Sequence, residues 1–250
     1  MVADDIIEQF FSDTQYSRLY EEFPDKDIYP KFYEAKKHEV ILEEGEMLHI
    51  PAGWFHWVFS EKPGKENLNV AINYWYKTHW EFGHYCTHNF FKFKYPQTID
   101  YMKMLGDLKE NFLLVSQSPK RYFPEQRVRH YFPHIPCTEK FMTFKQFCED
   151  PADDLYLSSF GDPRLGSTYA PQWCSSSNLV QGSGRWWINK GNVTTGLHYD
   201  ASDNWLHQLS GTKRIILFSP NDHDKLYLIN HYNHHFLKRL QMLIDKDNQK

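Results

Sequence analysis

The stretch Asn192-Val193-Thr194-Thr195-Gly196-Leu197-His198-Tyr199-Asp200 sets the tightest constraint on this chain. A His and an Asp one residue apart on a segment of β character project from the same face, because side chains alternate along a strand. An imidazole nitrogen and a carboxylate oxygen then lie side by side. One further imidazole would complete a 2-His-1-carboxylate face, the arrangement that holds non-haem Fe(II) and leaves positions open. H-x-D alone is a weak pattern, but the residues on its C-terminal side are specific. Asn204 to Ser210 reads as a strand, Gly211 as a turn, Lys213 to Phe218 as a second apolar strand, and Ser219-Pro220 as its stop.

The third imidazole has a candidate far upstream, in His49-Ile50-Pro51-Ala52-Gly53-Trp54-Phe55-His56. His38 to Leu42 and Met47 to Pro51 read as strands, Pro51-Ala52-Gly53 as a tight bend, and Trp54 to Ser60 as a strand carrying His56. A polar hairpin loop over Glu61 to Asn67 leads into a strong strand, Leu68 to Tyr76. His49 precedes the bend and reads as structural. An aromatic content of 17% in 250 residues suits a strand-rich fold with a deep pocket, and all-β barrels of this length commonly form one unit.

The run from Thr195 to Leu228 resembles the first metal-binding half of the JmjC/cupin-like 2-oxoglutarate oxygenases, and His49 to His56 with Val70 to Lys77 resembles the second half. The resemblance implies a mainly β fold, a double-stranded β-helix (jelly-roll, cupin of JmjC type) with flanking helices. It also implies Fe(II), 2-oxoglutarate and O2. Carried over residue by residue, it assigns His198, Asp200 and His56 as metal ligands. It assigns Lys213 and Thr195 to the distal carboxylate of 2-oxoglutarate, with a further hydroxyl from Tyr131. Asn204 and Asn73 match positions that touch the co-substrate or order the metal ligands. Trp205, Trp186 and Trp75 read as core.

In that family the half with H-x-D comes first, and here it comes second. The expectation is therefore one circularly permuted domain over residues 1–250. Residues 1–77 form the later barrel half with the distal His, 78–111 a connector and helix, 112–228 the earlier half with H-x-D, and 229–250 a C-terminal loop and helix. The rival is a swapped dimer that completes each site between two chains. A short helix or irregular arm is expected over Asp4 to Ser12, and helices over Pro96 to Asn111 with a run on into Phe112 to Val115, from a capping-box-like start at Thr143 to about Cys148, and over Phe236 to Ile244. Residues 78–95, rich in His and aromatics, do not have structural zinc spacing and read as an aromatic connector. Leu155 to Leu157 and Gly184 to Asn189 read as strands, with a loop-rich segment at 161–184.

The leading functional expectation is a hydroxylase acting on a protein or peptide side chain. Alternatives are a hydroxylase of a modified tRNA base, an N-methyl-lysine demethylase, and a non-catalytic cupin that serves as a binding module. A net charge of −4 weighs against nucleic acid. Cys86, Cys137, Cys148 and Cys174 show no C-x-x-C pairing, as expected of reduced thiols in an intracellular protein, cytoplasmic or nuclear. Met1 to Asp5 has no basic n-region or apolar h-region, so no secretory signal is expected. No apolar run approaches membrane-spanning length, and the chain is expected as a monomer or homodimer.

Overall fold

The computed structural model describes residues 15–76, 90–94, 112–124, 126–160, 184–200 and 202–229. Fourteen strands are found among them: β1 His38–Leu42, β2 Glu46–Ile50, β3 Phe55–Ser60, β4 Asn69–Tyr76, β5 Phe91–Lys94, β6 Phe112–Gln117, β7 Tyr122–Phe123, β8 Thr138–Thr143, β9 Leu155–Phe160, β10 Arg185–Asn189, β11 Val193–Thr195, β12 His198–Tyr199, β13 Asp203–Ser210 and β14 Lys213–Phe218. They build two sheets. One has eight strands in the order β5-β2-β13-β4-β10-β9-β6-β8. The other has six, in the order β1-β14-β3-β11-β7, with β12 also pairing with β3. The architecture is a double-stranded β-helix of the cupin, jelly-roll type.

The two halves of the chain alternate strand by strand. In the eight-stranded sheet β2 and β4 both pair with β13, and β4 also pairs with β10. In the other sheet β14 lies between β1 and β3, and β3 also pairs with β11 and β12. Each of these pairs joins a strand from residues 38–76 to one from residues 185–218. Between the sheets, Leu42, Leu48, Ile50, Ala71, Leu206, Ile215 and Leu217 pack into one buried cluster. Burying such a side chain contributes about 1.5–3 kcal/mol, so the interleaved sheets hold each other together chiefly by this apolar contact.

The β13–β14 turn needs its glycine. Gly211 has φ +77°, and a Cβ there would lie 2.4 Å from the Lys62 carbonyl oxygen. Outside the barrel, the Arg214 guanidinium bonds the Glu22 carboxylate at 2.7 and 2.9 Å and Glu61 at 2.9 Å, lying 4.3 Å from the centre of the Phe59 ring.

Helix α1, Phe144–Glu149, starts with the capping box expected at Thr143. Gln146 N–H donates to Thr143 Oγ1, and Thr143 N–H donates to Gln146 Oε1. Other readings need correction. Phe112 to Val115 is not helical but the start of β6, which pairs with β8 and β9. Thr138–Thr143 is a strand that sequence reading passed over, and Phe91–Lys94, read as connector, pairs with β2. The helix or arm expected at 4–12, the helices expected at 96–111 and 236–244, and all but Gly184 of the loop expected at 161–184 lie outside the described residues. Cys137 is a free thiol. Among the described residues no helix is long and apolar enough to cross a membrane.

Candidate metal centre and its cavity

His56 and His198 stand directly opposite each other where β3 pairs with β12, and their ring centres are 4.3 Å apart. The Pro51-Ala52-Gly53 bend is tied to the Asp200 segment. Gly53 N–H donates to the Asp200 carbonyl oxygen at 2.8 Å, and Ala52 N–H donates to Asp203 Oδ1 at 2.9 Å. These bonds bring Asp200 to the histidine pair, with His56 Nε2 3.7 Å from Asp200 Oδ2. One ligand atom from each of the three residues lies within 4.8 Å of the other two.

Backbone carbonyls set the tautomers. His56 Nδ1 is 3.1 Å from the Trp54 carbonyl oxygen and His198 Nδ1 is 2.7 Å from that of Gly196. A carbonyl can only accept, so both protons sit on Nδ1 and both Nε2 lone pairs stay available, as a metal site requires. Burial, and then the neighbouring His198, push the His56 pKa down to about 4, so His56 is neutral at ordinary pH. Burial alone would raise the Asp200 pKa. The adjacent His56 and His198 outweigh it, with the N–H donors of Trp75 and Asn204, and hold the carboxyl below its usual value. Trp75 Nε1 and Asn204 Nδ2 both donate to Asp200 Oδ2, at 2.9 and 2.8 Å.

From this cluster a cavity of roughly 280 Å³ runs into the barrel and reaches Lys213. Lys213 is only 1% exposed. Its Nζ donates to Ser60 Oγ at 2.7 Å and Asn69 Oδ1 at 2.9 Å. Both oxygens are held in turn. Asn189 donates to Ser60 at 3.0 Å, and Asn69 donates to the carbonyls of Lys62 and Thr212. Burial pushes the Lys213 pKa down to about 7. A buried amine with neutral partners at the end of a cavity attracts an anionic group.

Seven of the eight residues singled out from the sequence line this cavity: His56, Asn73, Thr195, His198, Asp200, Asn204 and Lys213. Thr195 Oγ1 lies 3.5 Å from the Val58 carbonyl. Tyr131 does not line it. Tyr131 packs beside the buried cluster around Phe132, with its ring 4.0 Å from that of His130. The tyrosines in the wall are Tyr16 and Tyr156, and burial raises the phenol pKa of Tyr156. Tyr156 falls on the inward parity of β9, a signal the sequence carried. Trp75, read as core, is instead a donor to the centre. Trp186 is fully buried, as expected, and Trp205 packs against His49 with ring centres 4.5 Å apart. Tyr16, missed from the sequence, stacks on His198 at 5.5 Å, and its chain position gave no cue.

Comparison with known proteins agrees with this geometry. The model of the cupin-like domain matches residues 9–82 and 86–248. The chain belongs to the cupin-like, JmjC-type family. A JmjC domain-containing protein, L887, of Acanthamoeba polyphaga mimivirus is 23% identical over 236 residues, covering 81% of this chain and 37% of that protein. The mouse tRNA wybutosine-synthesizing protein 5 is 34% identical over 148 residues, 52% of this chain and 46% of its own length. The Arabidopsis thaliana lysine-specific demethylase JMJ32 is 39% identical over 49 residues, 19% of this chain and 14% of that protein. This cupin-like chain thus spans less than half the length of these relatives. No solved structure matches it.

Proposed function

We propose that this cupin-like chain is an Fe(II)- and 2-oxoglutarate-dependent oxygenase that hydroxylates a protein side chain. The observation that carries the reading is one cavity with two poles: two imidazoles beside a carboxylate at one, and the buried Lys213 amine at the other. Both fit the implied groups. The free Nε2 lone pairs and the Asp200 carboxylate are a donor set for Fe(II), and Lys213 offers a charge-assisted donor to the distal carboxylate of 2-oxoglutarate. Fe(II), when bound with that co-substrate and O2, supplies oxidation of a C–H bond, coupled to decarboxylation of 2-oxoglutarate to succinate and CO2.

The chain's own residues bind, orient and exclude water. His56, His198 and Asp200 would hold the metal, with Nδ1 protons fixed by Trp54 and Gly196. Lys213 and Thr195, joined by Tyr156, would hold the co-substrate carboxylate in a closed barrel where charge-assisted bonds gain strength. Asn73 and Asn204 keep the Asp200 carboxylate in place. The reading carries with it an intracellular location.

A second reading is hydroxylation of a modified tRNA base. The relatives named tRNA wybutosine-synthesizing protein 5 favour it, and the net charge of −4 does not. One experiment tests both. Succinate formation from 2-oxoglutarate is measured in the full chain without substrate, and candidate peptides and tRNA are then analysed by mass spectrometry. A mass gain of one oxygen on peptide supports the first reading, and on tRNA the second. No succinate with Fe(II) present sinks the oxygenase reading.

The same reading makes residues 1–250 one circularly permuted domain, supported by the strand-by-strand alternation of the two halves. A His56→Ala chain mixed with a His198→Ala chain should stay inactive, because each barrel lacks a ligand. Restored activity would replace the permuted barrel with a swapped dimer.

A further inference from the structure

Three neighbouring strands of the eight-stranded sheet, β10, β4 and β13, carry a line of hydrogen bonds along its inner face. Trp187 Nε1 donates to Asn73 Oδ1 at 2.5 Å. Asn73 Nδ2 donates to Asn204 Oδ1, and Asn204 Nδ2 donates to Asp200 Oδ2 at 2.8 Å. Asn73 and Asn204 are 5% and 2% exposed, so water does not compete for these bonds.

An amide side chain is nearly symmetric in shape, and either end can face a neighbour. What fixes its direction is the chemistry at the ends of the line. An indole N–H can only donate and an ionised carboxylate can only accept. With Trp187 at one end and Asp200 at the other, both amides have one allowed direction, N–H toward the carboxylate. Take the indole N–H away and the direction is still set by Asp200, but the buried Asn73 oxygen loses its donor and the amide is held at one end only, free to shift and to carry Asn204 with it.

We infer that Trp187 is a positioning residue for Asp200: its indole N–H anchors the far end of the Asn73–Asn204 relay that orients the carboxylate of the metal centre. This rests on the metal-site reading above. Trp187 is also part of the cavity wall. Its ring stacks on Tyr156 at 5.9 Å and 19°, and the Arg185 guanidinium lies 4.8 Å from its centre. A residue that fills the wall and orders the carboxylate joins the two tasks in one side chain.

Co(II) alone, titrated into the full chain and followed by visible absorption and by calorimetry, tests this without turnover. Trp187→Phe should weaken Co(II) binding roughly 2- to 12-fold, the range of one neutral hydrogen bond, and change the visible bands through the altered carboxylate. Asn204→Ala should weaken it at least as much. The double variant should be no worse than Asn204→Ala, because both changes cut the same line. Placing 3-benzothienylalanine at 187, which keeps the indole shape and lacks the N–H, should reproduce Trp187→Phe and answers any concern over packing or folding. Unchanged Co(II) affinity and spectrum with benzothienylalanine, or additive losses in the double variant, would overturn the inference. Failure of the wild-type chain to bind Co(II) would overturn the metal-site reading itself, and this inference with it.

Discussion

At one end of the cavity an anion, Asp200, is held by N–H donors. At the other a cation, Lys213, is held by neutral oxygens. Neither end neutralises its own charge with an opposite side-chain charge fixed in contact, and the two differ in how they keep it. Asp200 stays charged because the N–H donors of Trp75 and Asn204 favour the carboxylate. Lys213 sits near its point of neutrality because burial disfavours the ammonium. The lesson is that the Asp200 end is organised by its own donors, whereas the Lys213 end leaves a buried amine with neutral partners that an anion would complete.

Removing Asp200 should have the largest effect. Asp200→Ala should abolish metal binding, measured by Co(II) titration, while leaving the melting temperature within a few degrees. Retained wild-type metal affinity would break the assignment of that end. Lys213→Ala should act on the other end alone. Loss of a charged partner to a buried carboxylate costs about 2–5 kcal/mol, roughly 30-fold to several-thousand-fold in 2-oxoglutarate affinity. Calorimetry should show metal affinity unchanged. A loss shared equally between metal and 2-oxoglutarate would mean that the two ends are not separate.

The pH dependence separates the ends next. Bound 2-oxoglutarate needs the ammonium form of Lys213, so its affinity should be full below pH about 7 and fall above it. The ligand-free chain should respond in the opposite sense. The Lys213 pKa is depressed in the folded chain, so between about 7 and the ordinary lysine value of about 10.4 the unfolded chain binds the extra proton. Stability then rises with pH, by roughly 1.4 kcal/mol per unit at most. Lys213→Met should flatten both curves, and a persistent slope in that variant would assign it to another group. The smallest effect is expected at the tyrosines. Tyr156→Phe should weaken 2-oxoglutarate binding by roughly 2- to 12-fold, one neutral hydrogen bond, and Tyr131→Phe should not weaken it. The reverse result would reinstate Tyr131.

The parts of the site legible in the sequence were those whose geometry is local. H-x-D on a strand places two candidate ligands side by side by alternation. The Pro51–Gly53 bend marks where His56 turns in, and the Gly211 turn aims Lys213. Thr143 and Gln146 spelled out their own capping box. The parts that were not legible depend on partners distant in the chain. Phe112 to Val115 is apolar at every position, so its period of two is hidden. Only pairing with β8 and β9 shows that Phe112 faces out at 71% exposure while Val115 is buried. Tyr131 and Tyr156 are alike as residues, and although the parity of β9 turns Tyr156 inward, only the packed sheets show that it reaches the cavity and Tyr131 does not. Trp75 looked like core and Trp187 did not stand out, because nothing local reveals that an indole N–H has a polar partner more than a hundred residues away.

The strand-by-strand alternation of the two halves bears on how the chain is made. None of β1 to β4 pairs with another of the four. Apart from β5 on β2, their ladder partners belong to β10 to β14. At a synthesis rate of ~5–20 residues per second, residues 38–76 wait roughly 5–30 seconds for the strands that complete them. Their unpaired edges are open to other chains meanwhile. Every barrel ladder must also close a long loop before it is rewarded, which makes for slow folding. The hazard in producing this protein therefore lies in nascent chains associating through β1 to β4, and slower growth at low temperature with holding chaperones is the remedy the topology suggests.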